Sequence, residues 1–291
     1  MGKIHDALQR AEELRREGAP ALAADSPLSL ETAPLPLESP LPREKTRRSW
    51  LPRRKAKTKA AATARAHMSH GDGAILLRGA HASIYSEEYR TLRARIQSLR
   101  RTRELRSIVL SSTRPGEGKT TTAANLALSF GLEREHSVCL VDADLRTPQV
   151  HKIFGSGLVG LAEVLEGDAK LEEALVPIAD TRLMVLPVKA LPTAPSELLS
   201  SRAMRDLMAE LHTRFNTVII DAPPVLGLPD TVTLVDLCDA ALFVVGAGRV
   251  PREEVESALE RLDASKLIGV VLNRCEQHEI GYLGGYGYGK S

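Results

Sequence analysis

The run Thr113-Arg114-Pro115-Gly116-Glu117-Gly118-Lys119-Thr120 combines residue types suited to one task, the holding of a chain of phosphates. Glycines let the backbone turn successive N–H groups onto an anion, a lysine supplies a movable cation, and a threonine hydroxyl can ligate magnesium. Pro115, Gly116, Glu117, Gly118, Lys119, Thr120 and Thr121 are therefore the candidate nucleotide-binding residues. Thr113 stands where the usual pattern has its first glycine, so the match is incomplete at one end. Carboxylates follow two other apolar runs: Val138-Cys139-Leu140-Val141 leads into Asp142-Ala143-Asp144-Leu145-Arg146, and Val218-Ile219-Ile220 leads into Asp221-Ala222-Pro223-Pro224. A lone Asp after a strand is more often a cap or turn residue. Together with the phosphate loop, Asp142 and Asp221 read as partners of Thr120 in holding magnesium, directly or through water.

Such residues need elements to bring them to one edge. Ser107–Ser112 is an apolar strand, the loop follows, and Ala123, Ala124, Leu126, Ala127 and Leu128 continue as a helix whose N-terminus adds positive potential at the phosphates. Further strands are expected at Val138–Asp142, Leu183–Pro187, Thr217–Asp221, Ala241–Val245 and Leu267–Leu272, with helices near 118–132, 197–213, 229–237 and 252–263. Tyr85, Tyr89, Leu92, Ile96 and Leu99 form one stripe of a helix over Tyr85–Arg100. This alternation specifies an α/β fold, a doubly wound, mostly parallel sheet of the P-loop NTPase type, with ligands at the C-terminal strand ends.

The remaining chain reads as appendages to a domain over residues 75–275. Ile4, Leu8, Ala11 and Leu14 give residues 1–17 a short amphipathic helix, for docking or simply solvated. Residues 18–74 form a disordered N-terminal linker, proline-rich and then basic, with ten Lys or Arg between 43 and 65 around Trp50. That run suits either an anionic membrane surface or a solvated linker. The net charge of +2 disfavours nucleic acid as a partner of the whole chain. An odd set of cysteines, Cys139, Cys238 and Cys275, without CxxC spacing reads as reduced thiols. With no secretory pattern and no apolar run of ~18 residues, the expected location is the cytoplasm. The tail 276–291 holds Tyr282, Tyr286 and Tyr288, three of the chain's five tyrosines, on glycine-rich backbone; it is either a sticky tail or a substrate.

The three motifs as a set, Ser111 to Thr121, Asp142-Ala143-Asp144-Leu145-Arg146 and Asp221-Ala222-Pro223-Pro224, resemble the Walker A, A′ and B sequences of bacterial tyrosine kinases, across about residues 82–291. The resemblance implies ATP with Mg2+, Lys119, Asp142, Asp144 and Arg146 as catalytic residues with Asp142 or Asp144 as the base, and Tyr282, Tyr286 and Tyr288 as autophosphorylation sites. It also implies a self-association surface from Glu87, Arg90 and Arg93, which match an ExxRxxR helix, and adenine contact by Asn273. Trans phosphorylation within a ring-like homo-oligomer, other protein tyrosine substrates, a transmembrane activator of the polysaccharide chain-length-regulator type at the inner membrane face, and control of exopolysaccharide or capsule export follow from the same likeness. Ala194, in Pro192-Thr193-Ala194-Pro195, departs from the family's more usual Asn. Two rivals share the motifs: a switch ATPase of the ParA/MinD class, which places a signature lysine where this chain has Arg114, and a nucleotide-dependent scaffold without transfer activity.

Overall fold

The computed structural model describes residues 84–275. The expected N-terminal helix, the linker with its basic run, and the tail with Tyr282, Tyr286 and Tyr288 lie outside the described residues. The chain runs α1 (Ile84–Leu99), β1 (Ser107–Ser112), α2 (Lys119–Gly131), β2 (Val138–Asp142), α3 (Val150–Phe154), α4 (Leu161–Glu166), α5 (Leu171–Ala174) and β3 (Val176–Pro177). It continues with β4 (Leu183–Leu186), α6 (Pro195–Ser200), α7 (Arg202–Arg214), β5 (Thr217–Asp221), α8 (Asp230–Leu237), β6 (Ala240–Gly246), α9 (Arg252–Leu259) and β7 (Leu267–Asn273). The sheet order is β3-β4-β2-β5-β1-β6-β7. All pairings are parallel except β3 with β4 at the edge, a two-residue strand too short to leave a periodic signal.

Each central strand is buried on both faces, and its successive side chains feed different cores. Ile108 and Leu110 of β1 pack with Ala124, Leu128 and Phe130 of α2, whereas Val109 joins Met204, Leu207 and Leu211 of α7 on the opposite face. Ile96 anchors α1 to the first of these cores, while Leu99, expected on the same stripe, is 37% exposed at the helix end. The helix expected at 197–213 is two helices. Ser201 adopts an extended backbone and its hydroxyl accepts the Met204 N–H at 3.1 Å, so the residue that looks like helix interior caps a new one. Cys139 and Cys238 are buried, and burial raises both thiols, that of Cys238 to about 12, so neither is a ready thiolate. Among the described residues, no helix is long and apolar enough to cross a membrane.

Candidate functional site

The phosphate loop joins β1 to α2 at the centre of the sheet. Gly116 and Gly118 take φ of 87° and 96°, which turns the chain sharply into the helix. At Gly118 the close approach of a neighbour also demands glycine, because a Cβ there would meet Asn273 Nδ2 at 2.0 Å. Thr113 keeps a negative φ and a fully buried side chain, so this end of the turn accepts a residue with a Cβ. Glu117 turns away from the opening. Its carboxylate accepts the N–H of Arg114 at 2.6 Å and that of Gly246 at 3.0 Å, tying the loop to the end of β6. Burial raises the Glu117 pKa, and backbone N–H groups from Arg114, Gly246 and Thr113 oppose that rise. The Glu117 side chain thus braces the loop, while its backbone belongs to the turn that the glycines set.

A cavity of about 520 Å³ opens above the loop, lined by Pro115, Gly116, Gly118, Lys119, Thr120 and Thr121. Its far wall holds Asp144 and Thr147, with Gln149, Lys152 and Ile153 beyond them, and Arg274 and Pro224 complete the rim. Lys119 Nζ stands 3.1 Å from Asp144 Oδ2 and 3.8 Å from Asp221 Oδ1. Burial acts to lower the lysine's pKa, but the charges of Asp221, Asp144 and Asp142 outweigh it and hold the ammonium above its ordinary value. It therefore stays charged with no ligand present.

The three carboxylates differ in what they already hold. Asp142 and Asp221 are register partners at the ends of β2 and β5, both fully buried. Asp142 accepts three backbone N–H groups: Oδ1 takes that of Asp144 at 3.2 Å, and Oδ2 takes those of Gln149 and Val150 at 3.1 and 3.0 Å. Its oxygens thus shape the loop behind the cavity. Asp144 lines the cavity and accepts the Thr147 N–H at 3.0 Å besides facing Lys119. Asp221 is the unusual one. Neither of its buried oxygens receives a well-formed hydrogen bond, although Lys119 and the Thr120 hydroxyl lie near enough to oppose the pKa rise that burial causes. Burial first, and then the Asp221 charge, raises Asp142 as well.

Orphaned buried carboxylate oxygens beside a threonine hydroxyl fit a divalent cation that also takes phosphate oxygens. Among the described residues no three His, Cys, Asp or Glu side chains converge as a protein-only metal cage. Magnesium bound to nucleotide needs none, because one or two carboxylates plus phosphates suffice.

Arg146 is not in the cavity wall. Its Nε donates to Asp230 Oδ2 at 3.0 Å and its terminal nitrogen to Ser196 Oγ at 2.9 Å, while Ser196 donates to Asp230 Oδ1. The arginine is a strut between the β2 loop and the starts of α6 and α8. Asn273 is equally committed, its amide donating to the Glu117 carbonyl at 2.9 Å. Of the expected self-association residues, Glu87 and Arg90 pair along α1, and Arg93 turns inward to the Ser129 carbonyl and to Glu133 at 3.3 Å. Sequence reasoning missed Thr147, Gln149, Lys152, Ile153, Pro224 and Arg274 as cavity residues. The signal was faint: α3 is five residues long, too short for any period, and Arg274 announces itself only through its left-handed φ of 63°.

A glycine-turned loop at the head of a helix, central in a parallel sheet and faced by strand-end carboxylates, defines a nucleotide-binding P-loop domain. The AAA domain family matches residues 105–262. The tyrosine-protein kinase YwqD of Bacillus subtilis is 38% identical over 208 residues, spanning 69% of this chain and 87% of YwqD. The kinase domain of the Escherichia coli tyrosine kinase ETK superposes with a TM-score of 0.61 at 26% identity, covering 70% of this chain and 80% of its own. The septum site-determining protein MinD of Pyrococcus horikoshii, complexed with Mg-ADP, is less similar, with a TM-score of 0.50 at 25% identity over 59% of this chain and 72% of MinD. The chain belongs to the family of bacterial tyrosine-protein kinases.

Proposed function

We propose that this chain transfers the γ-phosphoryl group of ATP to protein tyrosines, its own Tyr282, Tyr286 and Tyr288 first among them, and so regulates exopolysaccharide or capsule synthesis. The observation that carries this reading is a carboxylate, Asp144, set on the cavity wall opposite the phosphate cradle and within 3.1 Å of Lys119. An attacking phenol needs a positioned acceptor for its proton, and the likeness to tyrosine-protein kinases together with the three tail tyrosines favours a phenol over water as the nucleophile.

The loop amides and Lys119 hold the β- and γ-phosphates, since phosphoryl transfer asks chiefly for positioning and charge neutralisation. Magnesium, when bound, supplies further neutralisation there, and Thr120 with Asp221 are the residues that would hold it. Asp144 orients the incoming tyrosine hydroxyl and takes its proton; the new bond runs from the phenolic oxygen to phosphorus, the bond to the β-phosphate bridging oxygen breaks, and ADP leaves. Asp142 acts behind it by fixing the backbone of Asp144, Gln149 and Val150. Arg146 is a positioning residue for the same loop. Asn273 supports the P-loop from beneath.

The switch-ATPase reading is weakened by Arg114. It replaces that class's signature lysine and is paired with Glu254 of its own chain. Family likeness further supports action in trans inside a ring-like homo-oligomer, held at the inner face of the cell membrane by a transmembrane activator. Mapping phosphate by mass spectrometry after incubation with ATP and magnesium tests the proposal. Phosphate is expected on the tail tyrosines and is expected to vanish in Lys119→Met; ATP hydrolysis without phosphotyrosine, even with an activator present, would pass the site to the switch reading.

A further inference from the structure

Three of the cations around the phosphate site are already answered by carboxylates. Lys119 lies between Asp144 and Asp221. Arg114 pairs with Glu254 and Arg146 with Asp230, and neither lines the cavity. Lys152 differs. It lines the same wall as Asp144 and Thr147, and its exposed ammonium donates to the neutral side-chain oxygen of Gln149 at 2.7 Å. Among the described residues no carboxylate pairs with it. Arg274, the other cation of the rim, follows β7, whereas Asp144 follows β2, with β5, β1 and β6 between.

The backbone that carries Lys152 is fixed. Val150 and Phe154, on either side of it in α3, are fully buried, and the Asp142 carboxylate that accepts the Asp144 N–H also accepts those of Gln149 and Val150. One buried side chain therefore sets the position of both Asp144 and the helix that bears Lys152. The charge at the centre of the site also calls for a further cation. One ammonium, that of Lys119, faces the two carboxylates of Asp144 and Asp221, so this trio is net negative before any phosphate enters.

We propose that Lys152 is a catalytic residue that neutralises the transferring phosphoryl group, exchanging its Gln149 contact for an equatorial oxygen of that group when nucleotide and acceptor fill the cavity. A bond forms from the acceptor oxygen to phosphorus, and the bond to the bridging oxygen breaks with its electron pair leaving on ADP. The acceptor's proton passes to Asp144. Lys152 keeps its own proton throughout and acts by charge and N–H donation. The transferring group spreads its charge over its equatorial oxygens. A compact ammonium with rotatable donors on a flexible stem can follow those oxygens as they move. Its charge counts for more once the bound molecules have excluded water from the cavity. The inference rests on phosphoryl transfer at this site, not on tyrosine as the acceptor.

The test is calorimetric titration of the full-length chain with Mg-ADP, with and without aluminium fluoride, which stands in for the phosphoryl group at the transition state. In the unmodified chain fluoride is expected to tighten binding. In Lys152→Met that gain is expected to fall ~10-fold or more, while the Kd for Mg-ADP alone changes less than about threefold. Lys152→Arg, which keeps the charge, is expected to restore most of the gain. Lys152 is exposed, so an unchanged Tm in both variants serves as the folding control. Equal gains in all three chains, or no gain in the unmodified one, overturn the proposal. A raised KM for the acceptor with an undiminished fluoride gain also overturns it, and makes Lys152 a contact for the acceptor peptide. The titration reads no phosphotyrosine, so its outcome is separable from the kinase reading. A chain that loses the gain in Lys152→Met but never labels tyrosine loses that reading and keeps the role of Lys152. A Lys152→Met chain that labels tyrosine at the unmodified rate keeps the reading and loses the proposal.

Discussion

Asp221 carries a negative charge that the folded chain alone does little to satisfy, and that makes its role measurable. Burial raises its pKa above the ~3.9 of an unfolded aspartate, so the folded state binds that proton more tightly than the unfolded state does. The ionised carboxylate therefore costs stability: the cost is absent below the unfolded pKa, grows as pH rises, and is complete above the folded pKa. Asp221→Asn is expected to raise the Tm of the nucleotide-free chain at neutral pH by a few degrees, on the order of 1–2 kcal/mol, with the gain fading toward pH ~4. The same variant is expected to lose magnesium-dependent ATP binding in calorimetry. A lower Tm at neutral pH would mean that the Lys119 contact outweighs the desolvation of Asp221. At this scale the sequence was most legible in the motifs that follow apolar strands: Lys119 where the loop beyond β1 meets α2, Asp144 just past β2, and Asp221 at the end of β5. It was least legible where a side chain chooses between neighbours distant in the chain, since nothing local tells that Glu117 turns toward Gly246.

Between elements, the consequential contacts are struts. Arg146 joins the β2 loop to the N-terminal ends of α6 and α8 through Ser196 and Asp230, the latter almost wholly buried. Arg146→Ala is expected to lower kcat for tyrosine phosphorylation at least tenfold while changing KM for ATP less than threefold, because it loosens Asp144 and leaves the phosphate cradle intact. Equal losses in both would return Arg146 to the nucleotide. Arg93 ties α1 to Ser129 in the last turn of α2 and to Glu133 just beyond it. Its replacement by Ala is expected to lower the Tm by several degrees, about 1–3 kcal/mol, even at concentrations where no oligomer forms. An unchanged monomer would leave the arginine to self-association alone. The strands and long helices were readable from period and composition, because burial on one or two faces dictates both. The break at Ser201, the antiparallel β3 and the short α3 were not, since each depends on a single cap, a two-residue pairing or a five-residue turn.

For the whole molecule, the parallel sheet puts phosphate loop, carboxylates and the start of the tail on one edge, so catalysis and its acceptor are connected by topology. Each phosphotyrosine adds about −1.5 to −2 charges to a tail, residues 276–291, whose one Lys or Arg is Lys290. Phosphorylated chains are expected to sediment as smaller species than unphosphorylated ones, and a Tyr282/Tyr286/Tyr288→Phe variant to keep its size with ATP present. If ATP alone dissociates that triple variant, nucleotide rather than tail charge governs assembly. The central claim, tyrosine phosphorylation between copies, is tested most directly by mixing two impaired chains. Lys119→Met retains the tail but lacks the phosphate-holding lysine, and the triple Phe variant retains the site but lacks the acceptors. With ATP and magnesium, phosphotyrosine is expected on the Lys119→Met chain of the mixture and on neither chain alone; a mixture that stays unphosphorylated, while the unmodified chain labels its tail, would contradict transfer between copies.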